Sequence, residues 1–230
     1  MYNINMIMRI YHGSTNIIEK PCYELGKKHN DYGRGLYCTE DINMAKEWSV
    51  KLHTSGYANI YEIDTADLKV LNLNSPSYSI LNWLAILLDN RIFSIESYQA
   101  YNAKKYILDN FLVPYKDTDI IIGYRADNGN FCYAQDFISG VINLRQLNNA
   151  LKLGTEGEQF VIKSKKAFDK LQFIGSENAE VNDWYDKMQK GDCESRSEYL
   201  NYENYQERVD DIKIDQIIKQ GIKKDDIRLQ

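Results

Sequence analysis

Four short stretches of this sequence hold residue types that could do chemistry. His12 follows a β-favouring run, Met6-Ile-Met-Arg-Ile-Tyr11, and opens the turn-like His12-Gly13-Ser14-Thr15. Farther on, Gly33-Arg34-Gly35-Leu36-Tyr37 places two glycines ahead of a short apolar stretch. Glycine lacks a Cβ, so a Gly-x-Gly turn allows close backbone approach and is a frequent place to lay a flat ligand. Trp48 sits eleven residues after Tyr37, so both rings could face one cleft; filling a core is the competing reading. Glu156-Gly157-Glu158 puts two carboxylates at the start of a β run, and Arg125-Ala126-Asp127 leaves a buried-looking strand at its carboxyl end, a usual position for functional groups. Taken alone, His12 reads more readily as a satisfied structural histidine than as a catalytic one.

The elements needed to position these residues follow from local pattern. Leu36 to Thr39 reads as a short strand. Glu40, Asp41 and Asn43 then offer capping groups for a helix carrying Ala45 and Trp48. Asn59–Asp64, Lys69–Leu73 and Asp119–Tyr124 read as strands, and Tyr78–Arg91, Ser97–Phe111 and Arg145–Lys152 as helices, the last stopped by Gly154. Glu156 to Ser164 reads as an acidic turn feeding a β run, which Leu171–Ile174 could join as a final strand. Composition shifts at Gly175 toward Asn, Glu, Asp, Ser and Tyr, which suggests a main domain over 1–174 and a polar, partly helical arm over 175–206. Isoleucines at helical spacing between Ile212 and Ile222 predict that 207–230 packs back on the domain.

Composition narrows the class of partner. Lys+Arg 28 against Asp+Glu 33 gives a net charge of −5, so no bulk positive field draws in a phosphate backbone. Cys22, Cys38, Cys132 and Cys193 are widely spaced. They form neither a metal-ligand pattern nor a disulfide framework, and reduced thiols in a cytoplasm fit them best. No metal is expected. Met1 to Ile10 lacks the basic start and long apolar run of a signal peptide. The most apolar run, Ile80 to Leu88, is far short of the ~20 residues that span a bilayer, so no membrane is expected either.

Read in order, Tyr11-His12-Gly13-Ser14, Gly33-Arg34-Gly35-Leu36-Tyr37 and Gly157-Glu158-Gln-Phe-Val-Ile162 resemble the His-Tyr-Glu pattern of the diphtheria-toxin-like and poly(ADP-ribose) polymerase branch of the ADP-ribosyltransferase superfamily. The chain also resembles the DUF3990 family, uncharacterised bacterial proteins that group with these transferases and occur in toxin–antitoxin-like settings. That similarity runs from about Ile10 to Phe173 and includes Ile121-Ile-Gly-Tyr-Arg-Ala-Asp127.

The resemblance implies an α+β fold, a split β-sandwich of two small sheets with flanking helices and NAD in the cleft. It implies that His12 bonds a ribose hydroxyl of NAD, that the Gly13 backbone pairs with the nicotinamide amide, with Ser14 and Gly35 beside them, and that Tyr37 and Trp48 sandwich the ring. Glu158 would be the catalytic carboxylate. Arg125 and Arg34 could hold the pyrophosphate and Asp127 orient it, although a structural ion pair or a solvated arginine reads equally well. Two departures stand out. Ala45 occupies the position of a serine that bonds the nicotinamide amide, and Glu156 resembles the upstream carboxylate of the arginine- and nucleic-acid-modifying branch, whose other motifs are absent. The activity expected is transfer of ADP-ribose to a protein or nucleic acid, with an antitoxin as a possible partner; NAD hydrolysis in the same pocket and a catalytically silent binding module are the alternatives.

Overall fold

The computed structural model describes residues 7–126, 128–153, 158–200, 208 and 211–229. In chain order its first half contains β1 (Ile7–Ser14), β2 (Leu36–Cys38), α1 (Ile42–Ser49), β3 (Gly56–Asp64), β4 (Val70–Asn72), α2 (Ile80–Asn90) and α3 (Tyr98–Phe111). The second half contains β5 (Ile120–Tyr124), α4 (Asn128–Ile138), α5 (Leu144–Leu153), β6 (Glu158–Ile162), α6 (Lys165–Asp169), β7 (Leu171–Ala179), α7 (Val181–Leu200) and α8 (Ile214–Gln220), before a 3-10 turn at Ile227–Leu229.

The strands form two small sheets in an α+β arrangement. One is antiparallel with order β1-β3-β7; the other has order β2-β6-β5-β4, antiparallel except for β4 against β5. Alternation along the strands gives the second sheet two apolar faces. Leu36, Cys38, Ile120, Ile122, Phe160 and Ile162 meet Ile10, Tyr61 and Ile63 of the first sheet. Leu71, Ile121 and Val161 turn the other way, onto α2 and α3. Every residue from Ile80 to Leu88 is buried, as an all-round apolar helix requires. The sheets touch at one edge, where Tyr11 and Thr39 exchange backbone hydrogen bonds of 2.8 and 2.9 Å.

Several expectations need correction. The strand expected to stop before His12 continues to Ser14, with His12 opposite Asn59 and Gly13 opposite Ala58. Gly13 is tolerated inside it because α1 lies directly above, where no side chain fits. The segment Leu171–Ile174 does not join β6. Ser164 caps α6, which carries the chain across to the first sheet, and β7 pairs there with β3 from Leu171 opposite Ile63 to Ala179 opposite Gly56. The compositional boundary at 174/175 therefore falls inside β7, an edge strand whose polar positions are solvent-facing; the helical arm begins only at α7. A helix that was not anticipated, α4, opens at the Asn-Gly pair at 128–129. At the far end Ile214, Ile217, Ile222 and Leu229 are buried in the helical core, Tyr106 Oη donates to Ile222 O at 3.0 Å, and Arg145 forks onto Asp211 with two bonds of 2.7 Å.

Candidate functional site

The edge where the sheets meet brings together residues far apart in sequence. His12 Nδ1 lies 2.7 Å from Tyr37 O. A carbonyl oxygen can only accept, so Nδ1 must carry the hydrogen, and in the neutral ring Nε2 is the bare nitrogen. Burial pushes the His12 pKa below its ordinary value, against a smaller opposing effect of the Tyr37 carbonyl. Neutral imidazole is thus the favoured form. Buried Asn59 steadies the neighbourhood: its Nδ2 donates to His12 O and Asn16 O, both at 3.2 Å, and its Oδ1 accepts from Ile18 N at 2.7 Å. Ser14 Oγ accepts from Asn16 N at 3.2 Å, fixing the chain as it leaves β1.

Tyr37 is tied at its hydroxyl, which donates to Gly33 O at 2.6 Å and accepts from Tyr32 N at 3.1 Å. Its ring packs against the helical core, and burial raises its phenol pKa. The glycines of the turn have internal work: Gly33 takes φ +78°, and a Cβ on Gly35 would stand 2.7 Å from Ile162 O. Arg34 is exposed and donates to Glu24 O at 3.1 Å.

Trp48 is set by α1, whose start is capped by Asp41 accepting from Asn43 N at 2.8 Å. A Cβ on Gly13 would fall 2.9 Å from Trp48 Cβ, so His12, Gly13 and Trp48 are immediate neighbours. Arg125, just beyond β5, crosses from the other sheet to lie 4.6 Å from the centre of the Trp48 ring, a cation–π contact. Among the described residues the buried Trp48 Nε1 has no acceptor, a donor that an oxygen on an incoming ligand would satisfy.

Glu158 begins β6, opposite Tyr124 and two residues beyond the Cys38–Phe160 pair, a step of roughly 7 Å along a strand. It is solvent-exposed, and its Oε1 accepts from Asn74 Nδ2 at 2.8 Å. Asn74 was not anticipated. It lies in the loop after β4, its backbone N–H donating to Asn72 Oδ1 at 2.9 Å, and its own buried Oδ1 has no donor among the described residues. The Asn72-Leu-Asn74-Ser-Pro76 stretch signals a turn, and nothing in it signals contact with a residue 84 positions away.

His12, Gly13, Tyr37, Trp48 and Arg125 thus form one linked set, with Glu158 on the adjoining strand end. Arg34 and Gly35 stand apart, on a cavity at the other end of β2. Glu156 and Asp127 lie outside the described residues. Among the described residues no group of three or more His, Cys, Asp or Glu side chains is placed to hold a metal ion, and no helix is long and apolar enough to cross a membrane.

A family model described as a protein of unknown function, DUF3990, matches residues 8–173. No curated protein and no solved structure matches the chain.

Proposed function

The chain belongs to the DUF3990 family, and for this member we propose an NAD-dependent ADP-ribosyltransferase of the His-Tyr-Glu type, toxin-like, working on a protein or nucleic-acid acceptor in the cytoplasm. The observation that carries the reading is the 2.7 Å bond from His12 Nδ1 to Tyr37 O at the edge joining the two sheets. It unites two of the three motifs and leaves Nε2 free to accept from a ribose hydroxyl. The proposed fold is accordingly the superfamily's split sandwich, with NAD as substrate between the sheet ends.

In this reading Gly13 and Trp48 border the nicotinamide, Trp48 Nε1 supplies a donor, and Arg125 swings off the indole toward the pyrophosphate as the ring enters. The C1′–N bond breaks with its electron pair leaving on nicotinamide, which neutralises the pyridinium and leaves an oxocarbenium-like ribose. Glu158 offers a fixed negative charge to that cation, favouring the transition state over the ground state. Asn74 holds one of its oxygens and so fixes where that charge points. The acceptor's nucleophile then attacks C1′ and gives up its proton to solvent water.

The test is incubation of the full chain with labelled NAD and, separately, cell protein, RNA and DNA. Label in one fraction with nicotinamide release identifies the acceptor class; ADP-ribose in solution without labelled macromolecule identifies a hydrolase. Glu158→Gln keeps shape and removes charge, so release falls by about 10²–10³-fold, and growth arrest on expression disappears with it. Wild-type release by a folded Glu158→Gln protein overturns the proposal.

A further inference from the structure

A cavity of about 560 Å³ lies at the end of the second sheet opposite Glu158, between the 33–35 turn, the 115–118 loop and residues 163–165. It takes in no atom of His12, Gly13, Trp48 or Glu158. Glu158 and Lys163 are five residues apart on extended chain, a separation of roughly 17 Å.

Its charge is opposite to that of the chain. Lys28, Arg34, Lys116, Lys163 and Lys165 line it against two carboxylates, Glu24 and Asp117, in a protein of net charge −5. Lys116 is paired with Asp89 at 3.2 Å and Lys165 with Asp169 at 2.6 Å. Among the described residues no carboxylate pairs with Lys28, Arg34 or Lys163. Lys163 donates to Tyr32 O and sits 5.5 Å from the Tyr115 ring centre. A half-buried ammonium held only by a carbonyl and a ring face is short of negative charge. Its pKa reflects this, lowered to about 8 by burial with the positive charge of Lys116 adding to it. Part of the lining is aromatic: Tyr23 and Phe168 pack edge to face with centroids 5.6 Å apart.

We propose that this cavity is a second binding site, for a phosphate-bearing ligand of mononucleotide size, with Arg34 and Lys163 on the phosphate and the Tyr23–Phe168 wall against the base. Guanidinium and ammonium together suit a phosphate, the one as a fork and the other as a point charge. A flat base stacks on an aromatic wall irrespective of its identity, and the volume falls within the ~300–1,000 Å³ range of small-molecule sites. The site rests on its own lining and not on the transferase reading.

The test is an NMR titration of the full chain with AMP, adenosine and inorganic phosphate, followed at backbone amides. AMP perturbs 33–35 and 163–165, phosphate perturbs the same amides more weakly, and adenosine leaves them unmoved. The Lys163 pKa rises on AMP binding. Arg34→Gln, a change at an exposed side chain, and Lys163→Met each weaken AMP at least tenfold; should the second fail to fold, the first decides. Equal binding of adenosine and AMP overturns the proposal, as do shifts confined to Gly13 and Glu158, no gain of AMP over phosphate, or full AMP affinity in folded Arg34→Gln. Nicotinamide release does not enter the measurement, so either reading can fail without the other.

Discussion

With Nδ1 committed to the Tyr37 carbonyl, His12 can accept a hydroxyl hydrogen at Nε2 only while neutral, and its burial ensures that state near pH 7. The same burial sets a pH dependence of stability. The folded pKa lies below the ordinary 6.5, so as pH falls the unfolded chain takes up the proton first. Stability is full above about 6.5, declines as pH falls from there through the folded value, and loses nothing further below it. Urea midpoints between pH 8 and 4 should show this decline, and His12→Gln should lack that component. Tyr37 calls for a gentler probe than truncation, because its ring is core. Tyr37→Phe removes a donor from Gly33 O and an acceptor from Tyr32 N, costing about 1–3 kcal/mol, measurable by chemical denaturation. The side-chain types of the site were legible because chemistry restricts them. Their bonds were not: His12 to Tyr37 spans 25 residues, Asn74 to Glu158 spans 84, and Arg125 reaches Trp48 from the other sheet. Periodicity carries no information about such pairs.

Helix α1 places Trp48, and it can do so because the sheet beneath it has almost no side chains. A Cβ on Gly13 would stand 2.2 Å from Ala45 O and one on Gly56 2.3 Å from Ser49 O, with Ala58, opposite Gly13 on β3, fully buried. Lys46 ties the helix to β7 through Glu177 at 2.7 Å. Gly13→Ala therefore presses on helix backbone, which cannot rotate away as a side-chain tip can. The expected loss is about 1–3 kcal/mol, with Trp48 displaced; a drop in thermal midpoint and a shifted tryptophan emission would report the two effects. Unchanged values for both would mean that α1 does not sit on Gly13. Sequence pattern located β2, β5, β6, α2 and α3 because their apolar spacing is regular and their caps are present. It misassigned β7, since an exposed edge strand rich in Gln, Gly, Ser, Glu and Asn resembles an arm, and it missed α4, since Asn-Gly favours a turn unless packing over Tyr133, Ala134 and Phe137 overrides it.

At the scale of the whole chain, two cores share one sheet: a smaller one between the sheets beside the candidate site, and a larger helical one behind it. The isoleucine spacing after Ile212 fixes a helix face and not which core that face meets. It meets the larger. Ile217 is fully buried there with Ile214 and Ile222, in the same core against which the Tyr37 ring packs. Ile217→Ala removes three methyl-sized groups from a close-packed interior, a loss of about 2–5 kcal/mol. For a domain of this size that corresponds to a thermal midpoint lower by about 5–15 °C. Because α8 packs on α3 and carries no site residue, nicotinamide release at 20 °C should stay within about twofold of wild type while the protein remains folded. Scanning calorimetry alongside a release assay reads both quantities from one preparation. An unchanged midpoint would mean that the C-terminal segment does not dock, and a loss of release in folded protein would mean that the helical core positions the site directly.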